Sequence, residues 1–334
     1  MITTIPTSST YRAGSSPARA NRMGHYEKVV VITRETQLEA LVRRFNTRKQ
    51  AQFYLQHSGQ DFAPIELEHQ RYQEALEVVR SVIPLGVKSQ HIERSMIPQF
   101  TFGDDDFVIT IGPDGLVVNT AKYLKHQPIM AINPDPDCID GVLLPFTVKD
   151  IEQNMKSALQ GGASLKAITM ANASMNTGQE LLAFNDLFVG PSSHISARYE
   201  IRQGERYEQQ SSSGIIISTG AGSTGWLKSI FAGAVGVVNA LGGQVTMPVQ
   251  NGRFDWSDEQ LVYAVREPWP SKASSAGMVF GTITRDRPLE LTSNMAETGV
   301  IFSDGFEKDY LDFNAGHSVK IGLADHKAHL VMSR

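Results

Sequence analysis

Residues 28–33, KVVVIT, form an unbroken apolar run of the length expected for a strand buried on both faces. In the following segment, RETQLEALVRRFNTRKQAQFYLQ (34–56), Leu38, Leu41, Val42 and Phe45 recur at helical spacing and predict an amphipathic helix. ELEHQRYQEALEVVRSVI (66–83) predicts a second helix, and DFVITIGPDGLVVNTAKYLKHQPIMAIN (106–133) reads as strand, tight loop, helix and strand. Strands alternating with helices predict a parallel sheet covered by helices.

After VKDIEQNMKSAL (148–159) the pattern changes to short apolar or alternating runs, among them LKAITM, LLAFNDLFVG, ARYEIRQG, GIIIST, LVYAVRE, LELTS and SVKIGLA. Turn residues separate these runs, which predicts antiparallel strands. The expected organisation is therefore an extension over 1–27, an α/β domain over 28–147 and a β-rich domain over 148–334.

Composition narrows the classes. With 334 residues, 41% hydrophobic and 20% charged, the chain reads as globular and long enough for two cores, and no apolar run approaches the ~20 residues that span a bilayer. A net charge of -4 provides no bulk basic field for nucleic acid, so no nucleic-acid or membrane partner is expected. The single cysteine, Cys138, excludes an intrachain disulfide and a multi-cysteine zinc site, which fits a reducing compartment such as the cytoplasm. Residues 1–26 are rich in Ser, Thr and Arg and contain no acid, a composition shared by flexible extensions and organelle transit peptides.

Three short stretches carry candidate chemistry. IIISTGAGSTGWLKS (215–229) contains Gly220, Gly222 and Gly225 in the spacing G-x-G-x-x-G. A dinucleotide fingerprint of that spacing needs an acid about 20 residues on, yet no Asp or Glu lies between Glu208 and Asp255. A P-loop needs lysine directly after the last glycine, where Trp226 stands. What remains is a small-residue turn from a strand into a helix near Ser223 or Thr224, either a plain capped turn or a place where backbone N–H groups meet an anion.

ITIGPDGLVVNT (109–120) places Asp114 at a helix start between Gly112 and Gly115. Such an aspartate is either an ordinary turn residue or a group that takes a proton from a hydroxyl nucleophile beside a phosphate. In LAFNDLFVG (182–190), Asn185 and Asp186 interrupt an apolar run and need polar partners, which a turn or a bound ribose or purine edge would supply.

These three stretches, in this order, resemble the NAD kinase family, whose members carry a Gly-Gly-Asp-Gly loop, an Asn-Glu pair and a Thr-Gly-Ser-Thr-Ala-Tyr-like loop. The chain is most similar to the mitochondrial-type branch, in PIMAINPDPDCIDGVLLP (128–145), in FVGPSSHISARYEIRQGERYEQQSSSGIIISTGAGS (188–223) and in VREPWPSKAS (265–274). The resemblance implies an α/β domain with a parallel sheet and a β-sandwich-like domain, with the last segment packing back on the first domain and nucleotides bound between the two. It implies transfer of the ATP γ-phosphoryl group, with Mg²⁺, to the 2′-hydroxyl of the adenosine ribose of NAD, and a homodimer. Asp114 would be the base or orienter, with Gly112 and Gly115 along the phosphate path. Asn185, Asp186, Ser213, Ser223, Thr224, Gly225 and Trp226 would hold NAD; metal ligands are not assigned.

The departures from the family pattern are specific. Pro113 replaces a glycine and removes an N–H from the phosphate loop. Asp186 is one methylene shorter than the family glutamate, Ala221 lacks a hydroxyl, and Ser213 stands where bacterial members carry an acid and the mitochondrial-type branch carries serine. Two other classes follow from the same motifs. One is an NAD(P)-binding regulator without turnover, suggested by Pro113; the other is a lipid or sphingoid kinase sharing the Gly-Asp-Gly loop. Asp104, Asp105 and Asp106 read as a solvated turn, Asp304 and Gly305 as a hairpin turn, and His326 and His329 as surface or packing residues.

Overall fold

The structure, a computed structural model, describes residues 26–305 and 309–333, so the N-terminal extension up to residue 25 lies outside the described residues. The segment read as one helix over 34–56 forms two, α1 (Gln37–Phe45) and α2 (Arg48–His57). Thr36 starts α1 through a capping box with Glu39, and Asn46 ends it in the left-handed conformation at φ 65°. Thr47 then caps α2 by accepting a hydrogen bond from Gln50 N. Asparagine tolerates left-handed backbone and threonine competes for first-turn N–H groups, so Asn-Thr breaks a pattern whose apolar periodicity alone would continue. The later helices are α3 (Ala63–Val82), α4 (Asp114–Ala121), α5 (Ile151–Leu159) and α6 (Trp226–Ala240).

Strands of the first part are β1 (Lys28–Thr33), β2 (Lys88–Glu93), β3 (Asp106–Ile111), β4 (Pro128–Asn133), β5 (Phe146–Thr147) and β6 (Ser164–Ile168). The next group is β7 (Ala171–Met175), β8 (Glu180–Ala183), β9 (Asp186–Pro191), β10 (Ala197–Gln203), β11 (Arg206–Ser212) and β12 (Ile215–Ser218). The last are β13 (Leu261–Val265), β14 (Phe280–Ile283), β15 (Leu289–Ser293), β16 (Gly299–Ser303), β17 (Tyr310–Asp312), β18 (Ser318–Leu323) and β19 (Ala328–Met332).

They form three sheets. The first runs β2-β1-β3-β4-β19-β6, with β5 also on β4; β2, β1, β3, β4 and β19 are mutually parallel and β6 is antiparallel. Its central strands β3 and β4 are buried at every residue, because helices cover both faces of a parallel sheet. One face packs α3 and α5, through Tyr72, Val79 and Met155, and the other packs α4, through Leu116 and Val117. The other two sheets are antiparallel, β11-β10-β15-β18-β7-β8 and β14-β13-β12-β9-β16-β17, and they enclose one apolar core that includes Tyr199, Ile217, Leu291, Ile301 and Phe313. β19 comes from the end of the chain yet completes the first sheet, so the β-rich part is flanked on both sides of the sequence by strands of the α/β part. α6 leaves the small-residue loop, buries Leu227 and exposes Val237 and Val238, with Leu241, which follows its last residue, exposed as well.

Candidate functional site

Asp114 is the first residue of α4, directly beyond the carboxyl end of β3, with Pro113 as N-cap. Its carboxylate accepts hydrogen bonds from Val142 N at 3.1 Å and Leu143 N at 3.0 Å, which holds the group against the turn after β4. That turn is in place because Asn133 Nδ2 donates to Ile139 O and because Gly141, at φ 64°, carries no Cβ to strike Asn133. Leu116 N returns to Pro113 O, leaving the N–H groups of Asp114 and Gly115 as open donors of the first turn. A Cβ on Gly115 would meet nothing within 4 Å, so the protein itself does not require glycine there.

Asn185 and Asp186 lie where β8 passes into β9, and Asp304 organises them. Its carboxylate accepts from Phe184 N, Asn185 N and Asp186 N at 3.1, 2.7 and 3.2 Å. Asp304 is at φ 58°, at the turn after β16, and Asp304 N donates back to Asp186 O. Burial pushes the Asp304 carboxyl up, against the pull of the Lys122 charge and the three N–H bonds. The turn expected at Asp304 and Gly305 is present; its acid is a structural acceptor that turn chemistry alone did not reveal.

Asp186 is shielded as well. Its Oδ1 is buried without a hydrogen-bond partner, and desolvation pushes the carboxyl up to about 7, with the Asp304 charge adding and a Ser218 hydrogen bond opposing. A carboxyl raised in the folded state contributes stability that is complete below its unfolded value of about 4 and is lost as pH rises through the folded value. Unfolding by urea should therefore show stability falling between about pH 4 and pH 7 and levelling off above that. Asp186→Asn should flatten that fall, and an unchanged pH profile in the variant would exclude Asp186 as its source.

The glycines of the small-residue loop answer to other parts of the chain. A Cβ on Gly220 would stand 2.1 Å from Asp255 O, and one on Gly222 2.2 Å from Asn185 O and 2.7 Å from Asp186 Oδ1. Close backbone packing, and no dinucleotide fingerprint, explains their spacing. Thr219 Oγ1 donates to Phe184 O at 2.6 Å and accepts from Gly222 N, tying loop and pair together. Gly222→Ala should lower stability by about 2–3 kcal/mol in thermal or urea unfolding, since the opposing atoms are backbone and cannot turn aside. A loss below about 0.5 kcal/mol would show that the loop relaxes freely.

The helix expected near Ser223 or Thr224 starts later. Gly222–Thr224 is a 3₁₀ turn and α6 begins at Trp226. Ser223 is fully buried, and its hydroxyl donates to Gly220 O at 2.6 Å, which spends it on the loop. Thr224 and Gly225 are exposed, and Trp226 is half-buried. Trp226 and Ser213 line a cavity of about 720 Å³ on the outer face of the β9/β12/β16 sheet, together with Phe188, Arg266, Phe302 and Tyr310. The indole stacks on Phe188 at 5.8 Å, and the Arg266 guanidinium lies 5.5 Å from its ring centre. Sequence reasoning passed over Arg266 and Phe188, although both lie inside stretches that carried the family resemblance.

The candidate residues thus fall into two groups. No hydrogen bond or ion pair among the described residues joins Asp114 to residues 185–186 or 213–226; the link is an apolar cluster holding Leu116, Phe184 and Trp256, with Ala221 packed against it. Asp106, read as part of a solvated turn, is buried: it accepts from Gly103 N at 2.9 Å and pairs with Lys28 at 3.2 Å. Among the described residues no group of three or more His, Cys, Asp or Glu is placed to hold a metal ion.

The chain is similar to the solved structure of an NAD kinase from Archaeoglobus fulgidus in complex with ATP, at TM-score 0.52 and 17% identity over 91% of this chain and 93% of that one. It is similar also to yeast NADH kinase complexed with NADH, at TM-score 0.56 and 12% identity over 93% of this chain and 84% of that one. The chain has the NAD kinase fold. The likeness runs through both the parallel sheet and the antiparallel sheets. No protein-family model matches the sequence, and no curated protein matches it.

Proposed function

We propose that this protein is an NAD(H) kinase of the NAD kinase family, making NADP(H) from NAD(H) and a nucleoside triphosphate. The observation that supports this most directly is Asp114, which stands at the open first turn of α4, beyond the carboxyl end of a parallel strand, on the fold that the NAD and NADH kinases share. Open parallel sheets bind ligands at that end, and a helix start favours anions there. In this reading the divalent ion arrives with the triphosphate as part of the substrate.

The 2′-hydroxyl oxygen of the adenosine ribose bonds to the γ-phosphorus while the bond from that phosphorus to the β–γ bridging oxygen breaks, releasing the diphosphate. Asp114 orients the hydroxyl and receives its proton. Gly112 and Gly115 leave room for the phosphate chain. Asn185, in the frame built by Asp304, meets the adenosine, with Asp186 and Ser223 supporting it from within. Ser213, Thr224, Gly225 and Trp226 line the remainder of the dinucleotide path, where the indole offers a face for stacking.

One observation favours the second reading, a nucleotide-binding regulator: Pro113 gives the phosphate loop one N–H fewer than a glycine would. NADP formation from NAD, ATP and Mg²⁺ by the purified protein separates the two. Turnover supports the kinase; NAD binding by calorimetry without product supports the regulator.

A further inference from the structure

We infer that Arg34 is the cationic receptor for the phosphates of the donor triphosphate, an inference that rests on the kinase reading above. Arg34 follows β1 directly, and β1 pairs in parallel with β3, Ile32 opposite Thr110, so the arginine stands beside the loop that carries Gly112, Pro113 and Asp114. A Cβ on Gly112 would lie 3.4 Å from Arg34 Cδ and 3.5 Å from its Nε. The arginine stem, with Leu116 Cδ2 at 3.1 Å, therefore packs into the space that a side chain at Gly112 would take.

Its setting holds it ready. Arg34 N donates to the Tyr72 hydroxyl at 2.9 Å, the guanidinium lies over the Tyr72 ring at 4.8 Å from its centre, and Nη1 donates to Glu35 O at 3.2 Å. Nη2 bonds Glu68 Oε1. The pair is incomplete: Arg34 Nε and Glu68 Oε2 are both buried without a hydrogen-bond partner. Arginine and a carboxylate ordinarily meet through two parallel bonds, and a desolvated donor left without an acceptor is costly. A phosphate group reaching the partly exposed guanidinium brings several acceptor oxygens, shares or displaces Glu68, and completes the fork once the side chain shifts to free the buried Nε. It also brings charge compensation to a loop in which Pro113 supplies no N–H. The acid that faces the guanidinium is Glu68, and it holds Arg34 in place until the anion arrives; Glu35 contributes only its main-chain carbonyl, its carboxylate pairing with Arg43.

The test compares the full-length protein with Arg34→Gln, Arg34→Lys and Glu68→Gln. A non-hydrolysable ATP analogue with Mg²⁺, and separately NAD, are titrated calorimetrically; KM for ATP and thermal stability are measured beside them. Arg34→Gln should weaken the analogue about tenfold or more while NAD affinity stays within about twofold, and Arg34→Lys should recover part of the loss. Glu68→Gln breaks the same ion pair from the other side and should leave analogue binding intact or tighter. A purely structural pair gives a different pattern, with both glutamine variants shifting stability and analogue affinity together; that result, wild-type affinity in Arg34→Gln, or a parent protein that does not bind the analogue overturns the inference. Failure of the kinase reading is separately visible. A parent protein that binds the analogue through Arg34 yet forms no NADP keeps the receptor and loses the kinase, whereas NADP formation with an unchanged KM for ATP in Arg34→Gln does the reverse.

Discussion

Asp114→Asn is expected to lower the rate of NADP formation by about 10²–10⁴-fold, the range over which a positioned proton acceptor contributes. The substitution keeps the size of the side chain and one carbonyl oxygen, so one of the two N–H groups that the carboxylate holds, from Val142 or Leu143, retains its acceptor. Stability should change by no more than about 1 kcal/mol, the net worth of one hydrogen bond. NAD affinity should stay within about twofold, because the adenosine contacts proposed for Asn185 lie in the other group of residues. Steady-state kinetics, urea unfolding and an NAD titration on the same preparation check all three. A rate within tenfold of the parent removes Asp114 from the chemistry. Joint loss of rate, stability and NAD binding would make it a turn residue that holds the segment after β4.

Asp304→Ala is expected to be the most destabilising substitution near the site, costing about 4 kcal/mol. Three partly buried N–H groups lose their acceptor at once, and stranded donors cost roughly 1–3 kcal/mol each, less than additively when they share one partner. Alanine also resists the left-handed backbone at φ 58°, which adds about 1 kcal/mol. Asp304→Asn should cost much less. Asparagine tolerates that conformation, and its one oxygen can serve Asn185 N and Asp186 N, which both bond Oδ1. NAD affinity should fall in the alanine variant and largely recover in the asparagine one, because the frame under Asn185 is restored. Urea unfolding and NAD titration read both effects, and an alanine variant within about 1 kcal/mol of the parent would show that the frame stands without Asp304.

The parallel sheet was legible because its strands are extreme. KVVVIT, DFVITI and PIMAIN are apolar throughout or nearly so, and only burial on both faces makes such runs tolerable at strand length. The turn into α4 was legible because Gly-Pro-Asp-Gly names both the loop and the helix start. ANASM and RYEQQSS were not read as strands, since small and polar residues give weak alternation, yet they form β7 and β11. Their inward positions are occupied by Ala171, Ala173 and Met175 in one and by Gln210 and Ser212 in the other. Gln210 and Ser212 are affordable in the interior because both share the Tyr199 hydroxyl.

The site divides along the same line. Local chemistry places Asp114, Gly112 and Gly115 together, since one turn of four residues contains them. It also places Asn185 beside Asp186, as neighbours in the chain. Segments far apart in sequence decided the rest: Asp304 reaching back to residues 184–186, Asp255 and Asn185 closing on Gly220 and Gly222, Arg34 lying against Gly112, and β19 returning to the first sheet. Short-range patterns of burial and backbone conformation are written in consecutive residues and determined the strands, the helix starts and the motif loops. Hydrogen bonds and close contacts between distant segments depend on which surfaces meet in three dimensions, and only the tertiary structure determined which acid holds a backbone frame, which glycine admits another chain segment and which cation lies against the Gly112 loop.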